Sequence, residues 1–410
     1  MRIAFVDLEF SWPPPGGAQM DVHQTMTELR RLGHEVHLFA PATDRMWRFG
    51  SVDEDAFPLP VTQLSLGEKP FDRATAVPAF RDAVDAWRPD VVFLCFGFFL
   101  KAFLAEALSH YPIISRYYTY EMLCIRDFAL HRHDTTCTKN YLDTPNVCRR
   151  CFVQFWGPGM RWDGTSAMAE EFLAAGGMDA AFHRYFADHI RSLDAIIVYN
   201  EIARERLLPY NRNVFVVPGG VRMEDFQYSP LRERVPGEKK VILLSGRADD
   251  GRKGWETLTK ACDALARDRD DFEVWVTLEE TADARPWARH LGWREQKDIL
   301  GFYRDADICV VPSLWDEPFG MVAVEAMATG RPALVSRVGG LQHIVVDGET
   351  GFIHERKDHA QLAGHLARLL DDPALCRRMG DAGRARAEEH YAWQRVVEKH
   401  YPPIFERVLS

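Results

Sequence analysis

Residues Val310–Ala328 read VVPSLWDEPFGMVAVEAMA, and the rest of the chain is organised around them. The apolar run Ile308-Cys309-Val310-Val311 ends in Pro312-Ser313, the pattern of a short buried strand. Gly320 to Thr329 has helical spacing, with Val322, Val324 and Met327 among strong helix formers. Pro318-Phe319-Gly320 between them predicts a tight turn from which a helix N-terminus opens. Such an N-terminus offers unpaired N–H groups and the positive end of a dipole, which together hold an anion. The backbone at Phe319, Gly320 and Met321 is the candidate anion contact.

Two carboxylates flank the turn. Glu317 sits just before it, and Glu325 lies about two turns into the helix. Eight positions on a 3.6-residue repeat turn both towards one side, roughly 12 Å apart along the axis. That span suits a ligand with an anionic middle and a hydroxylated group at each end, as in a nucleoside diphosphate sugar. Solvated surface glutamates are the plainer alternative, and spacing alone does not separate the two.

The neighbouring residues do. Ser313, Glu317-Pro318-Phe319-Gly320, Glu325-Ala326-Met327-Ala328, Gly330-Arg331-Pro332, Gly339-Gly340 and Asp347-Gly348-Glu349-Thr350-Gly351-Phe352 together resemble the donor-binding signature of glycosyltransferase family 4. The resemblance implies an α/β chain of GT-B fold, with two Rossmann-like β/α/β domains facing across a cleft. It also implies a retaining glycosyltransferase that moves a hexose from a nucleoside diphosphate sugar to an acceptor hydroxyl. The acceptor (glycan, lipid-linked or small molecule), the base and the sugar stay unread.

The totals agree with two domains. The chain has 410 residues, 47% hydrophobic and 27% charged, which is ordinary for a globular protein. Its formal charge of −10 argues against a nucleic-acid partner, while leaving room for a local basic patch facing a membrane. Met1-Arg2-Ile3-Ala4-Phe5-Val6 reads as a first strand rather than a signal peptide. No apolar run approaches the roughly 20 residues of a membrane helix. The expected compartment is the cytoplasm, with peripheral contact at the inner membrane face left open, and oligomeric state is not legible.

The expected boundaries are 1–217 for an acceptor-side domain, 218–239 for a linker, 240–392 for a donor domain, and 393–410 for a last helix packing back on the first domain. Pro218-Gly219-Gly220-Val221 resembles the family's interdomain crossing. In the first domain, the loop Trp12-Pro13-Pro14-Pro15-Gly16-Gly17 follows the first strand and precedes a helix. Gly16 and Gly17 are candidates for close backbone approach to the donor phosphate or the acceptor, against the reading of an ordinary Pro-Gly loop. Arg45 to Phe80 reads as irregular, and Asp53-Glu54-Asp55 within it as a solvated charge run. Phe80 to Trp87 reads as a helix, and Met168 to Ser192 as one long helix.

An insertion at about 119–165 carries Cys124, Cys137, Cys148 and Cys151, with His131 and His133 nearby. Paired thiolates such as Cys148-Arg149-Arg150-Cys151, with no secretion signal, point to metal ligands more than to disulfides. Structural zinc on the four cysteines is the expectation, which would fold an otherwise irregular loop. Iron–sulfur, a disulfide pair and free thiols are the alternatives. Just before the insertion, many members of the family carry His-Asp, and Tyr118-Thr119 stand there instead. Tyr118 is the candidate replacement on the catalytic side; packing of Tyr117, Tyr118 and Tyr120 is the alternative.

In the second domain, Gly246-Arg247 ends a strand and Lys253-Gly254 opens a helix. These cations lie where an open α/β sheet binds ligands. By resemblance, Arg247 and Lys253 grip the donor diphosphate, Glu317 meets the hexose, and Glu325 meets the ribose. The cations and the helix mouth would neutralise the leaving diphosphate without a catalytic metal. Thr281 to Gln296 is short where the family places the base. An epimerase or phosphorylase would share the fold without this glutamate signature. A catalytically degenerate partner subunit is the alternative from another class.

Overall fold

The computed structural model describes all residues except 15, 43–49, 68–71, 133–134, 158–166, 280–284, 293 and 295. Met1–Leu130, Cys137–Pro218 and Val397–Ser410 form one compact unit, and His131–Thr136 with Gly219–Val396 form a second.

The first unit is built on a parallel sheet of β1 (Arg2–Val6), β2 (Glu35–Ala42), β3 (Val61–Ser65), β4 (Val91–Leu94) and β5 (Ile113–Arg116). A hairpin of β6 (His131–Arg132) and β7 (Thr135–Thr136) interrupts the series. The sheet resumes with β8 (Ala195–Val198) and β9 (Val214–Val216), in the order β3-β2-β1-β4-β5-β8-β9. The strands β1, β4 and β8 are apolar on both faces, and with β5, which ends in Ser115-Arg116, they are almost wholly buried, as parallel strands covered by helices must be. The last helix, Trp393–Leu409, contributes Tyr401 to this unit's interior. The Tyr401 hydroxyl meets Thr25 Oγ1 and Arg116 Nη1, each at 3.3 Å. Arg116 is itself buried in an ion pair with Asp21 at 2.6 Å.

The second unit holds β10 (Lys240–Leu244), β11 (Phe272–Val276), β12 (Ala288–His290), β13 (Ile308–Val311), β14 (Ala333–Ser336) and β15 (Gly351–His354). Their order is β12-β11-β10-β13-β14-β15, again all parallel. The chain reverses direction across the sheet between β10 and β13, so their C-terminal ends bound the crevice where such sheets bind ligands.

Several expectations need correction. Residues 168–192 are two helices, Ala167–Ala174 and Ala180–Ser192. Gly176 at φ +76° breaks the first, and the Asp179 side chain caps the second by accepting from Ala181 N. The stretch read as irregular contains the edge strand β3, and the following helix begins at Arg73 rather than Phe80. Pro78 lies inside that helix. Asp53 folds its own turn, accepting from Asp55 N at 3.1 Å, and the acidic run is exposed.

Arg331, read as part of a donor signature, is fully buried and is an internal staple. Its guanidinium donates to the carbonyls of Tyr303 (2.9 Å), Ser229 (2.6 Å) and Arg304 (2.6 Å). It thereby ties the helix Gln296–Asp305 to the segment that leads into the unit. An Arg331→Met substitution leaves these buried carbonyls without donors and should lower stability by about 3 kcal/mol in urea unfolding. A change within 0.5 kcal/mol would refute the staple.

Candidate active site

The site is assembled at the C-terminal edge of the second unit's sheet. Beyond β10, the chain passes through Ser245, Gly246 and Arg247, and the helix Trp255–Leu265 starts after Lys253-Gly254. Gly254 has φ +79°, and a Cβ there would sit 1.8 Å from the Pro312 carbonyl oxygen. Only glycine lets this helix start lie against the end of β13. That contact places Lys253 beside the turn after β13. Its ammonium donates to Glu317 Oε1 at 2.6 Å, and Ser313 Oγ donates to the same oxygen at 2.7 Å. The indole of Trp315 lies 5.5 Å from Lys253 Nζ and 5.6 Å from the Arg252 guanidinium. Arg247 is mostly exposed, with Asp249 at 3.4 Å.

The helix that follows is Met321–Ala328, with Gly320 at its N-cap. Glu317 therefore stands outside the helix, and the helical repeat does not relate it to Glu325. The two carboxylates have separate surroundings. Glu317 is buried against a cation and a hydroxyl. Glu325 accepts from the buried Tyr303 hydroxyl at 2.8 Å, and that hydroxyl also meets Ser245 Oγ at 2.8 Å. Burial pushes the Glu325 carboxyl up to about 7, against the opposing pull of the Tyr303 bond. Phe319 is buried, while Gly320 and Met321 are partly open. In the first turn the amides of Ala323 and Val324 donate to the Gly320 carbonyl, at 3.0 and 3.4 Å, while those of Met321 and Val322 have no intrahelical acceptor.

The first unit holds the other candidates. Gly16 is the exposed N-cap of the helix Gly17–Arg31. Its φ of −170° is open to any residue, and an added Cβ would find only Gln19 Oε1, at 3.8 Å. The backbone does not demand glycine there; its smallness keeps the surface open. Tyr118 is buried, edge-on to Phe96 and Tyr199. Pro15 lies outside the described residues.

None of the cysteines forms a disulfide. Cys148 and Cys151 share the helix Pro145–Trp156, and Cys148 lies within electrostatic reach of Cys124, Cys137 and Cys151. Burial pushes the Cys124 and Cys148 thiols up to about 11. Among the described residues, no three His, Cys, Asp or Glu side chains converge closely enough to hold a metal ion. His133 lies outside the described residues.

Reading the sequence missed a buried charged group at the C-terminal edge of the first sheet. Asp7, Glu9, Glu121, Glu171 and Lys101 are all nearly inaccessible. Glu121 accepts from the amides of Tyr118 and Thr119, and Glu171 from those of Phe98, Phe99 and Leu100. Burial raises Asp7 and Glu171 to about 7 and lowers Lys101 to about 8. The one available signal was a lysine inside the apolar run Phe98-Phe99-Leu100-Lys101-Ala102-Phe103.

Because the folded protein holds the Glu325 proton more tightly than the unfolded chain, Glu325 favours folding below about pH 4.5. That contribution is lost as pH rises through about 7. Wild type should lose roughly 2 to 3 kcal/mol more than Glu325→Gln between pH 4.5 and 8 in urea titrations. Parallel pH profiles would contradict the burial of this carboxyl.

The comparisons follow this division of the chain. The family model for glycosyl transferases group 1 matches residues 229–386, and that for the glycosyl transferase 4-like domain matches residues 16–141. The chain is 25% identical to the phosphatidyl-myo-inositol mannosyltransferase of Mycolicibacterium smegmatis, over 100% of this chain and 94% of that one. It is 40% identical to the glycogen synthase of Mycobacterium tuberculosis, over 57% of this chain and 59% of that one. Among solved structures, the sucrose-phosphate synthase of Thermosynechococcus elongatus superposes with a TM-score of 0.70 at 20% identity, covering 100% and 99% of the two chains. Anabaena HepE in complex with UDP and glucose superposes with a TM-score of 0.63 at 16% identity, covering 97% and 98%. With a family model on each half and glycosyltransferases as its relatives, this chain belongs to glycosyltransferase family 4 and is a glycosyltransferase of GT-B fold.

Proposed function

We propose that the chain transfers a hexose from a nucleoside diphosphate sugar to an acceptor hydroxyl, with retention of anomeric configuration. The observation that carries this reading is the Lys253–Glu317–Ser313 cluster beside the N-terminus of the helix Met321–Ala328. It puts a cation, backbone donors and a carboxylate around one short turn. A diphosphate would draw on Lys253, Arg247 and the amides at Phe319, Gly320 and Met321. The negative charge that grows on the departing diphosphate is the part of the barrier such donors lower most. Glu317, sharing Lys253, would accept from hexose hydroxyls, and Glu325 from ribose hydroxyls. Gly16 and Gly17 would leave room for the donor phosphate or the acceptor. HepE was solved with UDP and glucose, which supports a nucleotide-sugar donor here. The assembled cluster weighs against a degenerate partner subunit.

The test is a panel of UDP-, GDP- and ADP-sugars, read by binding and by slow donor hydrolysis, with and without EDTA. One donor should bind and turn over regardless of EDTA. Arg247→Ala and Glu325→Ala should each weaken its binding by roughly tenfold or more. Affinity should rise from pH 6 to pH 8, because ribose hydroxyls donate to ionised Glu325 and its pKa lies near 7. Failure of every donor to bind would defeat the reading.

For the cysteine-rich insertion we propose a structural zinc on Cys124, Cys137, Cys148 and Cys151, with no part in the chemistry. The donor set suits zinc. Cys148 lies within electrostatic reach of the other three thiols, and among the described residues they do not converge on one point. Elemental analysis of protein purified without chelators should find about one zinc per chain, lost in Cys148→Ser. Iron, or no metal, would overturn the assignment.

A further inference from the structure

Asp316 stands between Trp315 and Glu317 and looks, in sequence, like another candidate ligand for the donor. The structure gives it different work. It is 3% exposed, and both of its carboxylate oxygens are engaged within the second unit. Oδ1 accepts from Gly339 N at 3.0 Å and from Arg356 Nη2 at 2.9 Å. Oδ2 accepts from the hydroxyl of Thr136, the last residue of the hairpin β6–β7. Arg356 Nη2 also lies 3.2 Å from that hydroxyl, which closes the arrangement into a ring of three side chains.

The backbone is clamped at the same point. Gly340 N donates to the Glu317 carbonyl at 2.7 Å. At Gly339, φ is +45°, and an added Cβ would lie 2.2 Å from that same carbonyl oxygen. The Gly339-Gly340 turn is thus pressed against Asp316-Glu317 with no room for a side chain. These contacts fix Asp316 and the Glu317 backbone, while the Glu317 carboxylate is turned towards Lys253 and Ser313.

Three segments distant in sequence meet here: the hairpin of the cysteine-rich insertion, the turn after β14, and the residue two beyond β15. A buried carboxylate that loses a charged or hydroxyl partner is left under-solvated and moves towards water. Asp316 cannot move without carrying Glu317, which is one peptide bond away.

We propose that Thr136 and Arg356 are positioning residues for Glu317, so that the hairpin His131–Thr136 is part of the framework of the donor site. They touch no substrate. They hold Asp316, and through it the carboxylate that meets the hexose. This rests on the donor-site reading proposed above.

The experiment compares each nucleoside diphosphate with its sugar nucleotide: UDP with UDP-glucose, GDP with GDP-mannose, and ADP with ADP-glucose. The quantity read is the gain in affinity that the sugar confers. Thr136→Val, Arg356→Met and Arg356→Lys are measured beside wild type and Glu317→Gln, with thermal melting of each. Thr136→Val keeps the side-chain volume and guards against a folding failure in the arginine variants. In wild type, one pair shows a sugar-dependent gain. In Thr136→Val and Arg356→Met that gain falls by roughly tenfold, as in Glu317→Gln, while the affinity for the bare nucleoside diphosphate stays within about twofold. Arg356→Lys restores part of it. A full gain retained in Thr136→Val and Arg356→Met overturns the positioning role while leaving the donor site intact. If wild type binds a nucleoside diphosphate without any gain from the sugar, the role of Glu317 fails, and this proposal with it. If wild type binds no nucleotide, the donor-site reading itself is lost.

Discussion

Both sheets are parallel throughout, and this one constraint places everything else. A parallel strand must be followed by a crossover before the next strand begins, so every loop that leaves a strand's C-terminal end emerges on the same edge. Residues 245–254, 312–320 and 337–340 follow β10, β13 and β14 in the second unit and are neighbours for that reason alone. No local preference in any of the three could have brought Lys253, Glu317 and Gly339 together. The hydrophobic effect buries the strands, and the site is what the strands deliver to their edge.

Within that edge, polar groups are used in two ways. Arg331 and Asp316 are buried and committed to the protein, the first to carbonyls and the second to amide, hydroxyl and guanidinium donors. Arg247 is mostly exposed, and the Lys253–Glu317 pair is only partly covered on the lysine side. The Glu317 carboxylate of that pair is buried, so Lys253 stays beside it while its solvent-facing side is open to an anion. A dibasic anion presented to the same lysine offers a stronger attraction than one carboxylate does. The difference between anchored and available charges is set by burial, not by residue type.

This difference also decides what was legible beforehand. The strand, turn and helix at 308–328 could be read because an apolar run, a Pro-Gly turn and a helical period follow one another without overlap. Gly16, Gly246, Arg247 and Lys253 stand beside strand ends and helix starts, which a pattern of local signals marks well. The work of Arg331 was not legible, because an arginine between glycine and proline looks the same in sequence whether it faces solvent or buried carbonyls. The edge strands β3 and β12 were passed over because half-exposed residues such as Val61-Thr62-Gln63 carry almost no hydrophobic alternation. The break near Gly176 was hidden by apolar residues that continue in phase on both sides of it. Asp7, Glu9, Lys101, Glu121 and Glu171 are joined only by tertiary packing, and no window of sequence contains them together.

The last helix bears on the order in which the chain can fold. Tyr401 lies in the interior of the first unit and meets Thr25, a partner separated from it by 376 positions. A ribosome therefore polymerises the whole second unit before it adds the residue that completes the first one. During that interval the apolar surface around Phe93 and Arg116, which Tyr401 covers, is open to water or to other chains. The first unit, whose strands are made first, is completed only by residues made last, so synthesis from the N-terminus does not dictate folding from the N-terminus. Such a chain has a window of exposure whose length is the time needed to translate its own second unit.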